Sequence, residues 1–139
     1  MKHKNRFVSI LMLAVCTIAI AVIAACGTPQ THQDISVQQA HQLIEDNQSN
    51  SNFVILDIRA PSEYADGYIA GALNINFYDT DFADQIDALY KSKTYLVYCR
   101  SANRSGQAMP TFNDLGFTDV YDMQGGIVAW LNAGYDVLE

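Results

Sequence analysis

The chain has 139 residues, half of them hydrophobic, with eight Lys and Arg against fifteen Asp and Glu and a formal charge of −7. That length suits one domain. An acidic balance of this size argues against nucleic acid and anionic lipid as partners held by charge.

A leading segment stands apart from the rest. Lys2, Lys4 and Arg6 precede an uncharged apolar run from Phe7 to Ala25, which is the secretory pattern. The run is close to the lower limit for a membrane-spanning helix. Ile23-Ala24-Ala25-Cys26 resembles a bacterial lipobox, in which an aliphatic residue and two small ones precede a cysteine. Residues 1–25 are therefore expected to be a lipoprotein signal peptide, with lipid on the sulfur of Cys26. An uncleaved N-terminal anchor is the alternative. Either way the basic end stays in the cytoplasm and the domain lies outside it. The expected location is the cell envelope, with the domain on the periplasmic or extracellular side. Gly27, in place of Asp, points to the outer membrane in a host with two.

Residues 26–34 are small and polar and read as a tether, leaving 35–139 as the domain. Loss of Lys2, Lys4 and Arg6 takes the formal charge from −7 to −10. The basic residues left are Arg59, Lys91, Lys93, Arg100 and Arg104, and two of them flank one short loop.

Ser36 caps a helix whose apolar positions are Val37, Ala40, Leu43 and Ile44. Phe53-Val54-Ile55-Leu56 is a short continuous apolar run, as in a strand buried on both faces. Pro61 opens a short helix through Tyr64. Gly67 and Gly71 break the chain, and Leu73 to Phe77 reads as a short strand. Phe82, Ile86 and Leu89 mark a helical face. Tyr95-Leu96-Val97-Tyr98 is a second buried-type strand and runs directly into Cys99. Ala108, Met109, Phe112 and Leu115 mark the next helix, with Gly116 as its stop. Pro110 falls inside it and is expected to kink it or shorten its start. Val120-Tyr121 is a brief strand, and Gly125-Gly126 precedes a last helix with Ile127, Trp130 and Leu131. Strands alternating with helices predict an α/β domain, a mainly parallel sheet with helices on both faces.

Cys99 is the only cysteine in 35–139, since Cys16 lies in the apolar run and Cys26 is the expected lipid site. A lone leftover thiol invites a reactive role. His3, His32 and His41 are scattered, with no zinc spacing. Cys99-Arg100-Ser101-Ala102-Asn103-Arg104-Ser105 follows a buried strand and precedes a helix. That puts the sulfur at the carboxyl end of a strand, where open α/β sheets bind ligands. Loop N–H groups and the helix N-terminus converge there, a nest that attracts anions and stabilises a thiolate. Arg100 and Arg104 add positive charge. The bland alternative is a small buried hydrophobe at a strand end; two arginines within five positions count against it.

The segment Tyr98 to Ser105 resembles the active-site loop of single-domain rhodaneses. Leu56-Asp57-Ile58-Arg59, Glu63-Tyr64 and Gly67-Tyr68-Ile69-Ala70-Gly71-Ala72 are similar to that family's first signature. Leu115-Gly116-Phe117 with Val120-Tyr121, and Gly125-Gly126-Ile127 with Trp130 and Gly134-Tyr135, follow in the family's order, so the resemblance covers about residues 35–138. It implies a rhodanese-like fold and a sulfurtransferase. Catalytic Cys99 would take a sulfane sulfur from a small anionic donor such as thiosulfate, and pass it from a persulfide to cyanide or a thiol. It implies no cofactor and no metal, and a monomer is expected. Arg100, Ser101, Ala102, Asn103 and Arg104 would bind the anion. Many relatives have Gly where Ala102 stands, and a Cβ there opposes left-handed geometry. Tyr68 and Ala70 also depart from the usual His and Pro. Asp57 and Arg59 read as support. Arg59 is expected to pair with a carboxylate such as Glu63, and Asp57 to cap or orient backbone. Gly125-Gly126 and Trp130 read as a turn and core packing.

Two rivals stand beside this. A cysteine phosphatase places five residues between Cys and the closing Arg, to cradle a tetrahedral phosphate; here four separate Cys99 from Arg104. A carrier or binding module would hold sulfur, an anion or a protein without turnover. A thiol–disulfide role lacks a resolving cysteine.

Overall fold

A computed structural model describes residues 32–139. The expected signal peptide, Cys16, Cys26 and the expected tether through residue 31 lie outside the described residues. The strands are β1 (His32–Ile35), β2 (Phe53–Asp57), β3 (Leu73–Asn74), β4 (Thr94–Tyr98) and β5 (Val120–Met123). The helices are α1 (Val37–Asp46), α2 (Pro61–Ala65), α3 (Phe82–Asp87), α4 (Asn103–Asp114) and α5 (Gly126–Asn132). The five strands form one sheet in the order β1-β5-β4-β2-β3, every pair parallel. This is the expected α/β architecture.

The two apolar runs become the central strands β2 and β4, in register from Phe53 against Thr94 to Asp57 against Tyr98. Side chains alternate between faces. Leu56, Tyr95 and Val97 meet Phe82 and Ile86 of α3 and Ala108, Met109 and Phe112 of α4. Ile55, Leu96 and Tyr98 meet Val37 and Ala40 of α1 and Ile127 and Trp130 of α5. Ser36 caps α1 as expected. Its hydroxyl accepts from the Gln39 N–H, and the Gln39 side chain accepts from the Ser36 N–H, closing a capping box.

Four local departures have physical reasons. Residues 32–34, read from sequence as the end of the tether, belong to β1; its polar HQDI pattern hides an edge strand held by register on β5. Strand β3 is only two residues long: the Asn74 amide donates to the carbonyls of Asp57 and Arg59 at 3.0 and 2.9 Å, and past it the chain stays tied to the end of β2 by single bonds from the Ile75 and Phe77 N–H groups to the Asp57 and Ile58 carbonyls. Helix α4 starts at Asn103 and runs through Pro110 without being shortened. Pro110 has no N–H to offer the Gly106 carbonyl, and both residues lie on the exposed side, where that carbonyl is open to solvent. Strand β5 continues past Tyr121 through Asp122, a carboxylate 1 % exposed on the α4 face.

Candidate active site

Cys99 leaves the end of β4 and is 1 % exposed. Between it and α4 lie Arg100, Ser101 and Ala102. Ala102 is the N-cap of α4 and sits in the left-handed region at φ 71, ψ 0 despite its Cβ. That costs an L-residue about 1–2 kcal/mol, so the turn needs support from outside the loop.

The support comes from α5. The N–H groups of Ile127 and Val128 donate to the carbonyls of Cys99 and Arg100 at 2.9 and 3.2 Å. A trans peptide holds its C=O and N–H on opposite sides. Turning those two carbonyls toward α5 therefore turns the N–H groups of Arg100 and Ser101 the other way, into the loop. The approach is so close that a methyl on Gly126 would overlap the Cys99 carbonyl oxygen and stand 2.5 Å from the Arg100 carbonyl carbon. Gly126 is thus a loop-holding residue, where the sequence reading gave it only a turn. Its signal was the paired glycine at a helix start.

Inside α4, the first turn closes when the Gly106 N–H donates to the Ala102 carbonyl at 3.0 Å. The amides before it precede the hydrogen-bonded turns and carry the helix's positive end. Ser105, fully buried, donates its hydroxyl to Cys99 Sγ at 3.6 Å. Ser105 closes the loop motif, and the motif by itself assigns it no role. Its position one turn into α4, facing back to β4, was the available signal.

The loop arginines differ in surroundings. Arg100 is exposed and lines a cavity of about 180 Å³ with Arg59, Glu63, Asp66, Ile127 and Val128. Arg104 is 9 % exposed and donates from Nη1 and Nη2 to both carboxylate oxygens of Glu63, each at 2.7 Å. Its guanidinium also lies 5.4 Å from the centre of the Tyr78 ring. The hydrogen bonds from Arg104 hold the Glu63 carboxyl at about 2, against burial that works to raise it. Glu63 in turn raises the Arg104 pKa above its ordinary value. Ser101 and Asn103 are exposed and Ala102 half-buried along the same loop.

The supporting pair differs from expectation. Arg59 takes Asp57 as its partner, not Glu63: Nε lies 3.0 and 2.9 Å from the two Asp57 oxygens and Nη2 lies 2.6 Å from Oδ2. Adjacency at i, i+2 on one strand end made this pair the nearer one, and Glu63 on α2 faces α4 instead. Arg59 also donates to the Gly67 carbonyl at 2.7 Å. Asp57 Oδ1 accepts the Arg59 N–H at 2.9 Å, which is the backbone-orienting contact. Burial opposes the Arg59 charge, but the Asp57 carboxylate outweighs it and raises the guanidinium pKa. Beneath Arg59, the fully buried Tyr98 accepts the Ile69 N–H at 3.1 Å. Burial and the nearby Asp57 push the Tyr98 phenol up, so it stays neutral.

Among the described residues no three His, Cys, Asp or Glu side chains converge as a metal site. A larger cavity, about 470 Å³, is lined by Ile44, Phe53, Ile55 and Gly71 among others, and by none of the loop residues. What the loop offers is a buried sulfur with a hydroxyl donor behind it, inward-facing amides and two guanidinium groups, a setting for an anionic sulfur or an anion bonded to it.

Residues 36–133 match the sequence profile described as "Rhodanese-like domain". Thiosulfate sulfurtransferase GlpE of Pseudomonas aeruginosa is 35 % identical over 100 residues, covering 72 % of this chain and 84 % of that protein. Thiosulfate sulfurtransferase 16, chloroplastic, of Arabidopsis thaliana is 31 % identical over 110 residues, covering 72 % of this chain and 88 % of that protein. Among solved structures, a rhodanese-related protein from Thermoplasma volcanium superposes with a TM-score of 0.64 at 29 % identity, covering 76 % of this chain and 97 % of that one.

Proposed function

Because the chain belongs to the rhodanese-like domain family, we propose that it is a sulfurtransferase that moves a sulfane sulfur through a persulfide on Cys99. The thiolate of Cys99 attacks the outer sulfur of thiosulfate. The new Sγ–S bond forms as the donor's S–S bond breaks, and sulfite leaves with that electron pair. Cyanide or a thiolate then attacks the outer sulfur, and Sγ departs as the thiolate that began the cycle. Charge is the recurring problem, since the donor is a dianion and the persulfide an anion. The inward amides of Arg100 and Ser101, the start of α4 and the two guanidinium groups meet that need. The observation that carries the reading is the buried Cys99 sulfur, hydrogen-bonded by Ser105 at the mouth of this loop.

A second reading is favoured by one specific feature. Glu63 occupies both ends of the Arg104 guanidinium, which weakens its pull on a free dianion. On that reading the domain carries sulfur from another donor, or binds a partner, without thiosulfate turnover. The test is thiocyanate formation from thiosulfate and cyanide by the full chain in detergent, beside its Cys99→Ser variant. Activity in the first and none in the second supports the sulfurtransferase; no activity in either leaves the carrier.

Lipid anchoring at Cys26 belongs to the same proposal, carried by Ile23-Ala24-Ala25-Cys26. Labelled palmitate should enter the chain and be absent from Cys26→Ser. Label in neither would point to the uncleaved anchor. In a host with two membranes the outer one is proposed, and recovery of all protein in the inner membrane would sink that.

A further inference from the structure

Among the described residues, the buried charges Asp57, Arg59 and Arg104 sit in ion pairs, and Asp122 does not. One of its oxygens, Oδ2, accepts a long hydrogen bond from Gln124 at 3.2 Å. The other, Oδ1, is buried with no hydrogen-bond partner. Unpaired buried polar atoms are uncommon and invite a functional reading. Asp122 lies beside Val97 of β4 in the sheet, on the face covered by α4. A Cβ on Gly106 would stand 3.8 Å from its Oδ2. The carboxylate therefore faces the first turn of α4, where the Ser105 hydroxyl is near enough to favour its charged form. That same hydroxyl reaches Cys99 Sγ at 3.6 Å on its other side. Ser105 has one proton to give: it goes to Sγ, while Asp122 Oδ1, on the carboxylate facing the same turn, has no donor.

We propose that Asp122 is a positioning residue for Cys99, deciding through Ser105 whether the sulfur receives a hydrogen bond. Ionised Asp122 takes the Ser105 proton as its own hydrogen bond, and Sγ loses its donor. Protonated Asp122 donates to Ser105 Oγ, which leaves the Ser105 proton free to point at Sγ. There it stabilises the thiolate and the inner sulfur of a persulfide. No bond is made or broken; one hydrogen bond is redirected. The inference rests on the reading of Cys99 as the working nucleophile.

The groups facing Asp122 fit a carboxyl able to change state. Asp34 is its register neighbour on β1, and His32 lies two residues earlier on that strand. Ser105 and Gly106 face it from α4, Val97 from β4, and Gln124 from its own strand end. Burial pushes its pKa above the ordinary carboxylate value, with Asp34 adding to the rise; Ser105, Gln124 and His32 pull the other way.

The test is the rate of Cys99 alkylation by iodoacetamide against pH, read at the Cys99 peptide by mass spectrometry in the full chain. Asn at 122 keeps the volume, carries no charge and offers an N–H to Ser105 Oγ. Asp122→Asn should move the alkylation midpoint down and speed the reaction roughly three- to tenfold at neutral pH, the size of one hydrogen bond to an anion. Ser105→Ala should move the midpoint up by less than Asp122→Asn moves it down, because ionised Asp122 already draws the hydroxyl away from Sγ. In the Ser105→Ala background the effect of Asp122→Asn should fall to less than half. An unchanged or raised midpoint in Asp122→Asn overturns the proposal. So does an equal shift with and without the Ser105 hydroxyl, which marks a plain charge effect. A rate altered by one factor at every pH marks structural damage and overturns it too. If Asp122→Asn does not fold, Asp122→Ala takes its place: a midpoint that fails to fall, or that falls equally in the Ser105→Ala background, sinks the idea. Alkylation needs no thiosulfate. A chain that makes no thiocyanate yet shows these shifts loses the sulfurtransferase reading and keeps this one; thiocyanate formation without the shifts does the reverse.

Discussion

Arg104 and Glu63 lie 41 residues apart in sequence and are joined by two parallel hydrogen bonds of 2.7 Å. The pair ties α4 to α2 and sets how much positive charge the loop presents. Arg104→Ala removes a guanidinium from the loop and strands a half-buried carboxylate. It is expected to lower kcat/KM for thiosulfate by about 10–100-fold. Lys93 is half-buried, donates to the Ser51 carbonyl at 2.8 Å and lies outside the loop, so Lys93→Ala should stay within about twofold. Equal effects of the two would remove Arg104 from the anion's surroundings.

Glu63→Gln tests the other half of the pair. It releases Arg104 from its counter-charge and should lower KM for thiosulfate by about two- to fivefold, while costing about 1–2 kcal/mol of stability. An unchanged KM with reduced stability would make the pair purely structural.

The same pair sets an acid limb. The Glu63 carboxyl titrates at about 2 in the fold against 4.5 without its partners. A lowered carboxylate pKa stabilises above the unfolded value and gives up that stability as pH falls through the folded one. The contribution should be complete above about pH 5 and lost progressively toward pH 2. Urea unfolding across that window should show a shallower decline in Glu63→Gln. Parallel curves would refute it.

Gly126→Ala should be severe. The added methyl meets backbone carbonyls of Cys99 and Arg100, which cannot rotate away, and the residue sits at φ +57. Expected are a loss of about 2–4 kcal/mol and at least ~100-fold slower thiocyanate formation. Wild-type activity would show that the α5 clamp on the loop is dispensable.

Ala102→Gly should act in the opposite sense. Relief of left-handed strain outweighs the greater freedom of glycine in the unfolded chain, for a net gain of about 0.5–1 kcal/mol. Thermal unfolding reads it directly; a lower Tm would show that the Cβ makes a packing contact worth more than the strain.

Much of this was legible in the residues. The apolar runs ending at Leu56 and Tyr98 announced central strands, and the run into Cys99 fixed the sulfur at a strand's carboxyl end. Periodicity speaks for groups buried by their own element. It is silent where a residue's role comes from a distant one. Gly126 matters because α5 packs on the loop, Glu63 because α2 faces α4, and Asp122 because Ser105 stands above it. Edge strand β1 escaped because its HQDI pattern has no apolar face of its own. Arg59 was assigned a carboxylate, as buried guanidinium groups require, but two candidates lay within four positions and only three-dimensional direction chose Asp57 over Glu63.

The clamp of α5 on the loop also fixes an order of assembly. During synthesis the sulfur, the loop and α4 all emerge before Ile127 and Val128, whose amides hold the carbonyls of Cys99 and Arg100. Strand β1, the first of the described strands, has no partner until β5 arrives near the end. Such long-range closures come late in folding. A nascent or C-terminally clipped chain therefore carries the thiol without the geometry that makes it useful, and competence arrives with the last quarter of the polypeptide.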